Sequence, residues 1–467
     1  MNGRGQLIGC ISGLLFGCAH ALCAQDSTAT WYLRSVEFVG NKKTKESILR
    51  RELVVDAPAR LDSVQCLAQL ERSRQNLMNL SLFNFVEPRI TRHADTVDVV
   101  FQLTERWYIW PSPVFEYVDP NFNTWWETRD FTRTNIGLLL TQYNSRGRNE
   151  VLRLRAKIGY NKQVGLSYSF PYINKAKTLG LTLYADYVEN YQVNTGSAEN
   201  KRIFYTRVGE VVRREHSVST RLQYRPKLNG THYFFTKWIN GAIQDSLASV
   251  FADYFGQGRS TRSFVELGYS YVYDKTDYRA YPLKGIHFTG SVFKPDIYLD
   301  RGSKSSVWQA YAQWRQYLPV GKKTYFAYSA ALKATRFNDL PYSLQRGLGY
   351  ADYVRGYEYY IFDAQQYAIL KTSTKIRLLD QWEIKLPFIR NAKFNRLFVA
   401  SYANANFDVG YAADRLYAQQ NPLSNNLLLG GGLGLDVISF YDFVIRLEYS
   451  FNRIGQQGFF MHFSRPI

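Results

Sequence analysis

The side chains that could do covalent chemistry are few in this chain and badly spaced for it. Beyond the first two dozen residues the histidines are His93, His216, His232, His287 and His462, scattered without metal-ligand spacing. His462 and Ser464 would share one face of the last strand. A hydrolase would pair them with an acidic orienter, and no acid lies nearby in sequence. Two inward strand residues explain the pair better. No nucleotide loop, zinc pattern or GxSxG elbow is present. The expectation is no enzyme, with no catalytic residue, no metal and no cofactor.

Arg4 precedes an apolar run from Leu7 to Leu22, with Ala19, Ala21 and Ala24 as small residues. This reads as a secretory signal peptide over residues 1–24. Leu15-Phe16-Gly17-Cys18 weakly resembles a lipoprotein cleavage box, but the apolar run continues past Cys18. Cys10, Cys18 and Cys23 all fall in the signal, so Cys66 stands alone and no intrachain disulfide is expected. A small buried helix residue is the preferred reading of Cys66.

The 467 residues are 46% hydrophobic, 16% aromatic and 21% charged. Past the signal no run approaches the roughly 18–20 apolar residues of a membrane helix. The aromatic content excludes disorder. A large soluble β protein or a transmembrane β-barrel remains.

Residues 31–106 read as a small α+β domain. Val36 and Phe38 alternate in a strand, Gly40-Asn41 turns, and Thr44 can cap a helix carrying Ile48 and Leu49. Leu61, Val64, Leu67, Leu70, Leu77 and Leu80 have helical spacing. Strands follow around 83–90 and 96–103. From Trp107 to the C-terminus the period becomes two. Leu152, Leu154, Ala156 and Ile158 alternate with Arg153, Arg155 and Lys157, and Phe443, Ile445, Leu447 and Tyr449 alternate with Val444, Arg446, Glu448 and Ser450.

Aromatics crowd the strand ends, as at Tyr160, Tyr187, Tyr191, Tyr271 and Tyr449. Short turns (Asn144–Arg148, Ile438–Asp442) contrast with long loops (Pro226–Ser260, Leu340–Gln366). Residues 107–467 are therefore expected to form a transmembrane β-barrel of about 16 antiparallel strands, preceded by the small periplasmic α+β domain. The strands would start near Trp110, Thr132, Asn149, Gln163, Thr178, Arg202, Ser217, Thr261, Gly285, Val307, Thr324, Gln366, Arg396, Asn426, Phe443 and Gly458.

The formal charge is +19. Residues 31–106 hold 12 Lys/Arg and 10 Asp/Glu, whereas residues 107–467 hold 45 and 28. The excess belongs to the barrel, as a solvated lumen and loops or as a surface for anions such as lipid phosphates. Nucleic acid is a poor partner, because the basic residues sit singly at alternate positions.

The N-terminal domain resembles a POTRA domain, through Val36-Glu37-Phe38-Val39-Gly40-Asn41 and Val97-Asp98-Val99-Val100-Phe101. In the long loop, Val354-Arg355-Gly356-Tyr357 is similar to the VRGF/Y motif of the BamA/TamA outer-membrane assembly family. Asp277, Pro282 and Gly285 resemble that family's D…P..G turn. Trp382–Pro387, Phe407–Gly410 and the Gly-rich Leu429–Asp436 resemble its later strands. The chain's last residues, ending in Ile467, depart from the family's usual aromatic end.

The resemblance implies that Arg355 ion-pairs inside the barrel with Glu383 and Asp408. Strand parity agrees: Trp382, Ile384 and Leu386 on the lipid side put Glu383 inward, and Phe407 and Val409 put Asp408 inward. A planar guanidinium can meet carboxylates in bidentate fashion. Gly356 would allow close approach.

The resemblance also implies an insertion factor that opens a seam between its first and last barrel strands. Pro111 and Pro113 would weaken the first strand's ladder, and Phe459 and Phe463 lie on a short last strand. The expected partners are client outer-membrane or secreted proteins, the lipid bilayer with lipopolysaccharide, and periplasmic or lipoprotein accessory subunits. The expected place is the outer membrane of a Gram-negative bacterium, with the POTRA domain in the periplasm. Three functions compete: assembly or insertion of client barrels, dedicated secretion of one partner, and a passive porin, which would need neither the POTRA domain nor VRGY.

Overall fold

The computed structural model describes residues 29–462 apart from 118–130, 132–133, 208, 300–305, 386, 388–395 and 440–441. The signal peptide and Phe463 lie outside the described residues.

The N-terminal domain runs β1 (Thr30–Val39), α1 (Glu46–Arg50), β2 (Ala59–Asp62), α2 (Ser63–Met78), β3 (Phe83–His93) and β4 (Thr96–Glu105). Its sheet has the order β2-β1-β4-β3, with β1 and β4 parallel. The short β2 is an addition to the sequence reading, and takes Leu61 out of the helix. Asp62 then caps α2, its carboxylate accepting from the amides of Val64 and Gln65. Cys66, Leu70 and Leu77 face the sheet and bury against Leu33, Val99 and Phe101. Val64 and Leu67 point away and are exposed.

The remaining large element is a 16-stranded antiparallel sheet. Its first half holds β5 (Ile109–Tyr117), β6 (Thr134–Ser145), β7 (Glu150–Gly159), β8 (Asn161–Phe170), β9 (Leu179–Asn190), β12 (Arg213–Tyr224), β13 (Gly230–Ile243) and β14 (Thr261–Asp274). Its second half holds β15 (Gly285–Tyr298), β16 (Val307–Pro319), β17 (Thr324–Phe337), β18 (Gln366–Lys385), β19 (Arg396–Ala413), β20 (Leu427–Ser439), β21 (Phe443–Asn452) and β22 (Gln457–His462). Between β9 and β12, β10 (Gln192–Ala198) and β11 (Lys201–Thr206) pair only with each other.

The number of strands agrees with the sequence reading, but two assignments do not. The strand placed at Arg202 is the second arm of that separate hairpin. The loop placed at Pro226–Ser260 contains β13 and the short helix α3 (Asp245–Val250). Phe234, Thr236 and Trp238 alternate there as in any barrel strand, and the turn signals on either side hid it.

Alternation sets the two faces. Ile136, Leu154, Ile158, Leu332 and Leu433 are exposed on the outside, up to 67% for Ile158. Inside lie Asp408, Asp436, Glu448, Ser450 and Lys375, each 1% exposed or less. Apolar outside and polar inside is the layout of a barrel whose solvent is lipid. No described helix is long and apolar enough to cross a membrane.

The N-terminal domain sits on the end of the barrel that carries the short turns. Arg225 makes a two-armed pair with Glu52 at 2.6 and 2.8 Å, and Tyr172 donates to the same carboxylate. Arg72 donates to the Thr276 carbonyl at 2.8 Å, and Asn144 to the Thr44 hydroxyl at 2.8 Å. At the opposite end the longer loops fold together.

Candidate functional site: an arginine clasp inside the barrel

The 338–365 loop enters the barrel and lies against β19, β20 and β21. Glycines on the wall make room for it. A Cβ on Gly430 would stand 1.7 Å from the Arg355 carbonyl oxygen, and one on Gly410 would stand 2.4 Å from Val354. Gly356 itself has φ +79°, and a Cβ there would meet the Phe451 carbonyl at 2.6 Å. Both chains thus use glycine to approach within backbone contact. Val354 and Tyr357 are buried, with Leu348, Phe362, Ile369 and Leu428 around them.

Arg355 is 2% exposed. Its Nη1 donates to Asp408 Oδ1 at 2.6 Å, and its backbone amide donates to Asp408 Oδ2 at 3.1 Å. Its Nε lies 3.0 Å from Glu448 Oε1. Lys371 approaches Asp408 at 3.7 Å, and Arg446 approaches Glu448 at 3.6 Å. Arg446 in turn makes a two-armed pair with Asp436 at 2.6 and 2.9 Å. The Tyr281 hydroxyl then donates to Asp436 at 2.7 Å. One chain of buried charges thus runs down the wall from the VRGY loop to the turn that holds Tyr281.

Glu383 is not part of it. It pairs in register with Phe398 near the far end of β18 and is exposed. Lys371, opposite Asp408, lies about 40 Å away along the strand. Two register shifts, after Arg377 and after Leu379, each insert one residue on β18 and so cancel: Glu383 keeps the expected inward parity but lies too far along the strand to reach Arg355. The second carboxylate is Glu448. Its signal was present in the sequence: Arg446, Glu448 and Ser450 alternate against Ile445, Leu447 and Tyr449.

The turn of Asp277, Pro282 and Gly285 lies at the opposite end, beside the N-terminal domain. Asp277 accepts from the Leu283 amide at 3.0 Å, and burial pushes its carboxyl above the ordinary value. Gly285 has φ +117°, and a Cβ there would stand 2.1 Å from the Lys275 carbonyl oxygen. Pro282 is buried. The turn also holds the N-terminal domain, since Asn79 donates to the Asp277 carbonyl.

Beside it, Arg106 grips Asp442 in the β20–β21 turn at 2.7 and 3.0 Å. Ser81 and Tyr278 donate to the same carboxylate. Burial would raise the Asp442 carboxyl, but the Arg106 hydrogen bonds and charge outweigh it and hold it below the ordinary value.

The sheet's two ends are β5 and β22, and among the described residues no ladder joins them. Pro111 and Pro113 lie in β5 opposite Leu140 and Leu138 of β6. Proline is tolerated on such an edge, where a missing donor deprives no neighbour. Phe459 is exposed on the outside of β22 and pairs with Tyr449. The inside of β22 touches the loop: His462 stacks on Tyr353 at 5.7 Å, and Phe460 meets Tyr359 at 5.5 Å. The loop therefore holds β22 as well as the wall.

Residues 31–106 match the POTRA family (surface antigen variable number repeat), and residues 144–453 match the Omp85 superfamily domain. The chain belongs to the Omp85 superfamily. In fold it is similar to BamA from Haemophilus ducreyi lacking POTRA domains 1–3, at 16% identity, 93% of this chain, 83% of that one and TM-score 0.50. It is also similar to CdiB from Escherichia coli, at 11% identity, 92% of this chain, 75% of that one and TM-score 0.52. As an Omp85 protein it is an outer-membrane barrel with its POTRA domain in the periplasm. The POTRA end is thus the periplasmic end, and the long loops are extracellular.

Proposed function

We propose that this Omp85 protein is an assembly or insertion factor that folds client β-barrel proteins through the seam between β5 and β22. The observation that carries the reading is the contrast in the sheet: a wall held by the Arg355 clasp, and two edges that no ladder joins among the described residues. Free strand edges template further strands. A client hairpin would add to β5 or β22 while the clasp keeps the rest of the barrel in register. The work is binding and templating, with no covalent step.

Two measurements test it. Cysteine pairs scanned across β5 and β22, once oxidised, should abolish insertion, and reduction should restore it. Full activity with the strands cross-linked rejects the seam. Depletion should lower many outer-membrane proteins together. Loss of a single exported protein would instead make the chain a dedicated secretion transporter.

A further inference from the structure

The outer face of β14–β19 carries a depression that neither the clasp nor the seam uses. Its cavity is about 710 Å³, within the range of ligand pockets. The ladder builds it from small residues in register. Gly290 faces Ala312, Ala310 faces Ala334, and Ala368 faces Leu332. All lie on the lipid side with the exposed Val292, Leu332 and Leu370. Tyr269 and Tyr271 close one end and Tyr411 the other. On one side Phe288 pairs with Trp314, and on the other Trp308 pairs with Arg336.

The trough climbs toward the extracellular rim, because Gln366 and Ala413 end their strands there and Ala334 pairs with Gln366. Two arginines stand above it. Arg336 is two residues beyond Ala334 on the outward parity, and Arg415 is two residues beyond Ala413. Both are exposed. Of the other cations nearby, Lys294 is already paired with Asp296, and Lys333 donates to the Arg346 carbonyl.

A depression on this face is filled by hydrocarbon in the membrane, so shape alone selects an acyl chain. The charge above it selects the headgroup. We propose that the trough binds the acyl chains of an anionic outer-leaflet lipid that carries a phosphate monoester, with Arg336 and Arg415 on that phosphate. The guanidinium fork suits phosphate oxygens, and the site gives part of the barrel's basic excess a target.

The test uses the full chain in phosphatidylcholine nanodiscs doped with phosphatidic acid bearing a photoactivatable acyl chain. Labelling should concentrate on the trough. It should fall about fivefold with Arg336→Ser or with Arg415→Ser. Ala334→Phe, which fills the trough, should remove it, while Ala156→Phe on the outward face of β7 should not. Labelling spread evenly around the barrel, equal labelling by photoactivatable phosphatidylcholine, or indifference to the arginine changes overturns the proposal. So does a dimer that shields the trough. No client is present, so the outcome is independent of the insertion reading.

Discussion

The wall β18–β21 and the edges β5 and β22 belong to one sheet but are held differently. β18 and β19 are 20 and 18 residues long and pair almost from end to end. Among the described residues β5 has 9 and β22 has 6. The wall is also braced across the lumen, by a loop seated on glycines and by a run of buried ion pairs. β22 meets that same loop through ring contacts. The difference teaches where the barrel can yield. Removing one partner of a buried pair strands a charge, whereas parting a short edge exposes a few main-chain groups.

The largest break in that contrast is Arg355→Ala. It leaves Asp408 and Glu448 buried beside each other without their shared cation, at a cost of about 3–5 kcal/mol. The variant should assemble poorly, read as loss of the heat-modifiable folded band on gels. Arg355→Lys should recover only part, because one ammonium does not replace the fork. Normal assembly of Arg355→Ala would mean that the clasp does not brace the wall.

Next comes the choice of carboxylate. Glu448→Gln should weaken assembly by about 2–3 kcal/mol, since it removes a charged hydrogen-bond partner. Glu383→Gln, on an exposed position, should stay within about 0.5 kcal/mol of the parent. Urea midpoints of the folded barrel measure both. The reverse order would restore the pairing that the resemblance implied.

A smaller effect tests the periplasmic end. The Asp442 carboxyl is held below its ordinary value by Arg106. A lowered value stabilises docking at pH above the free-carboxyl value, about 4. That stability is lost as pH falls through the lowered value. Docking of the POTRA domain should therefore loosen only in acid, seen as faster amide exchange at Ser81–Arg106. Asp442→Asn should exchange faster already at neutral pH and lose this acid dependence.

The smallest change is at the edge. Pro111→Val restores one donor to β5 and should slow seam opening by about 1 kcal/mol or less. Seam opening is read by the rate of cross-linking between cysteines on β5 and β22.

The residue pattern alone determined a good deal. Period-two alternation marked the barrel, since one face meets lipid and the other water. Helical spacing and the flanking strands marked residues 31–106. The VRGY loop and the D…P..G turn were legible as motifs, and Asp408 was legible as an inward acid. Glu448 was legible by the same parity, but nothing local linked it to Arg355, 93 positions away.

What only the tertiary structure decided follows from register and from contacts distant in sequence. Glu383 keeps its inward parity but lies twelve residues along β18 from Lys371, the partner of Asp408, and no local signal says how far along the wall the loop will dock. β13 hid inside an apparent loop, and the β10–β11 hairpin passed for a barrel strand, because pairing partners are not written in either segment. The glycines at 410 and 430 read as weak strand residues until the loop lies on them. The docking of Arg106 on Asp442 joins positions 336 residues apart. The outward trough exists only because small residues on five strands fall into register, which no single strand can show.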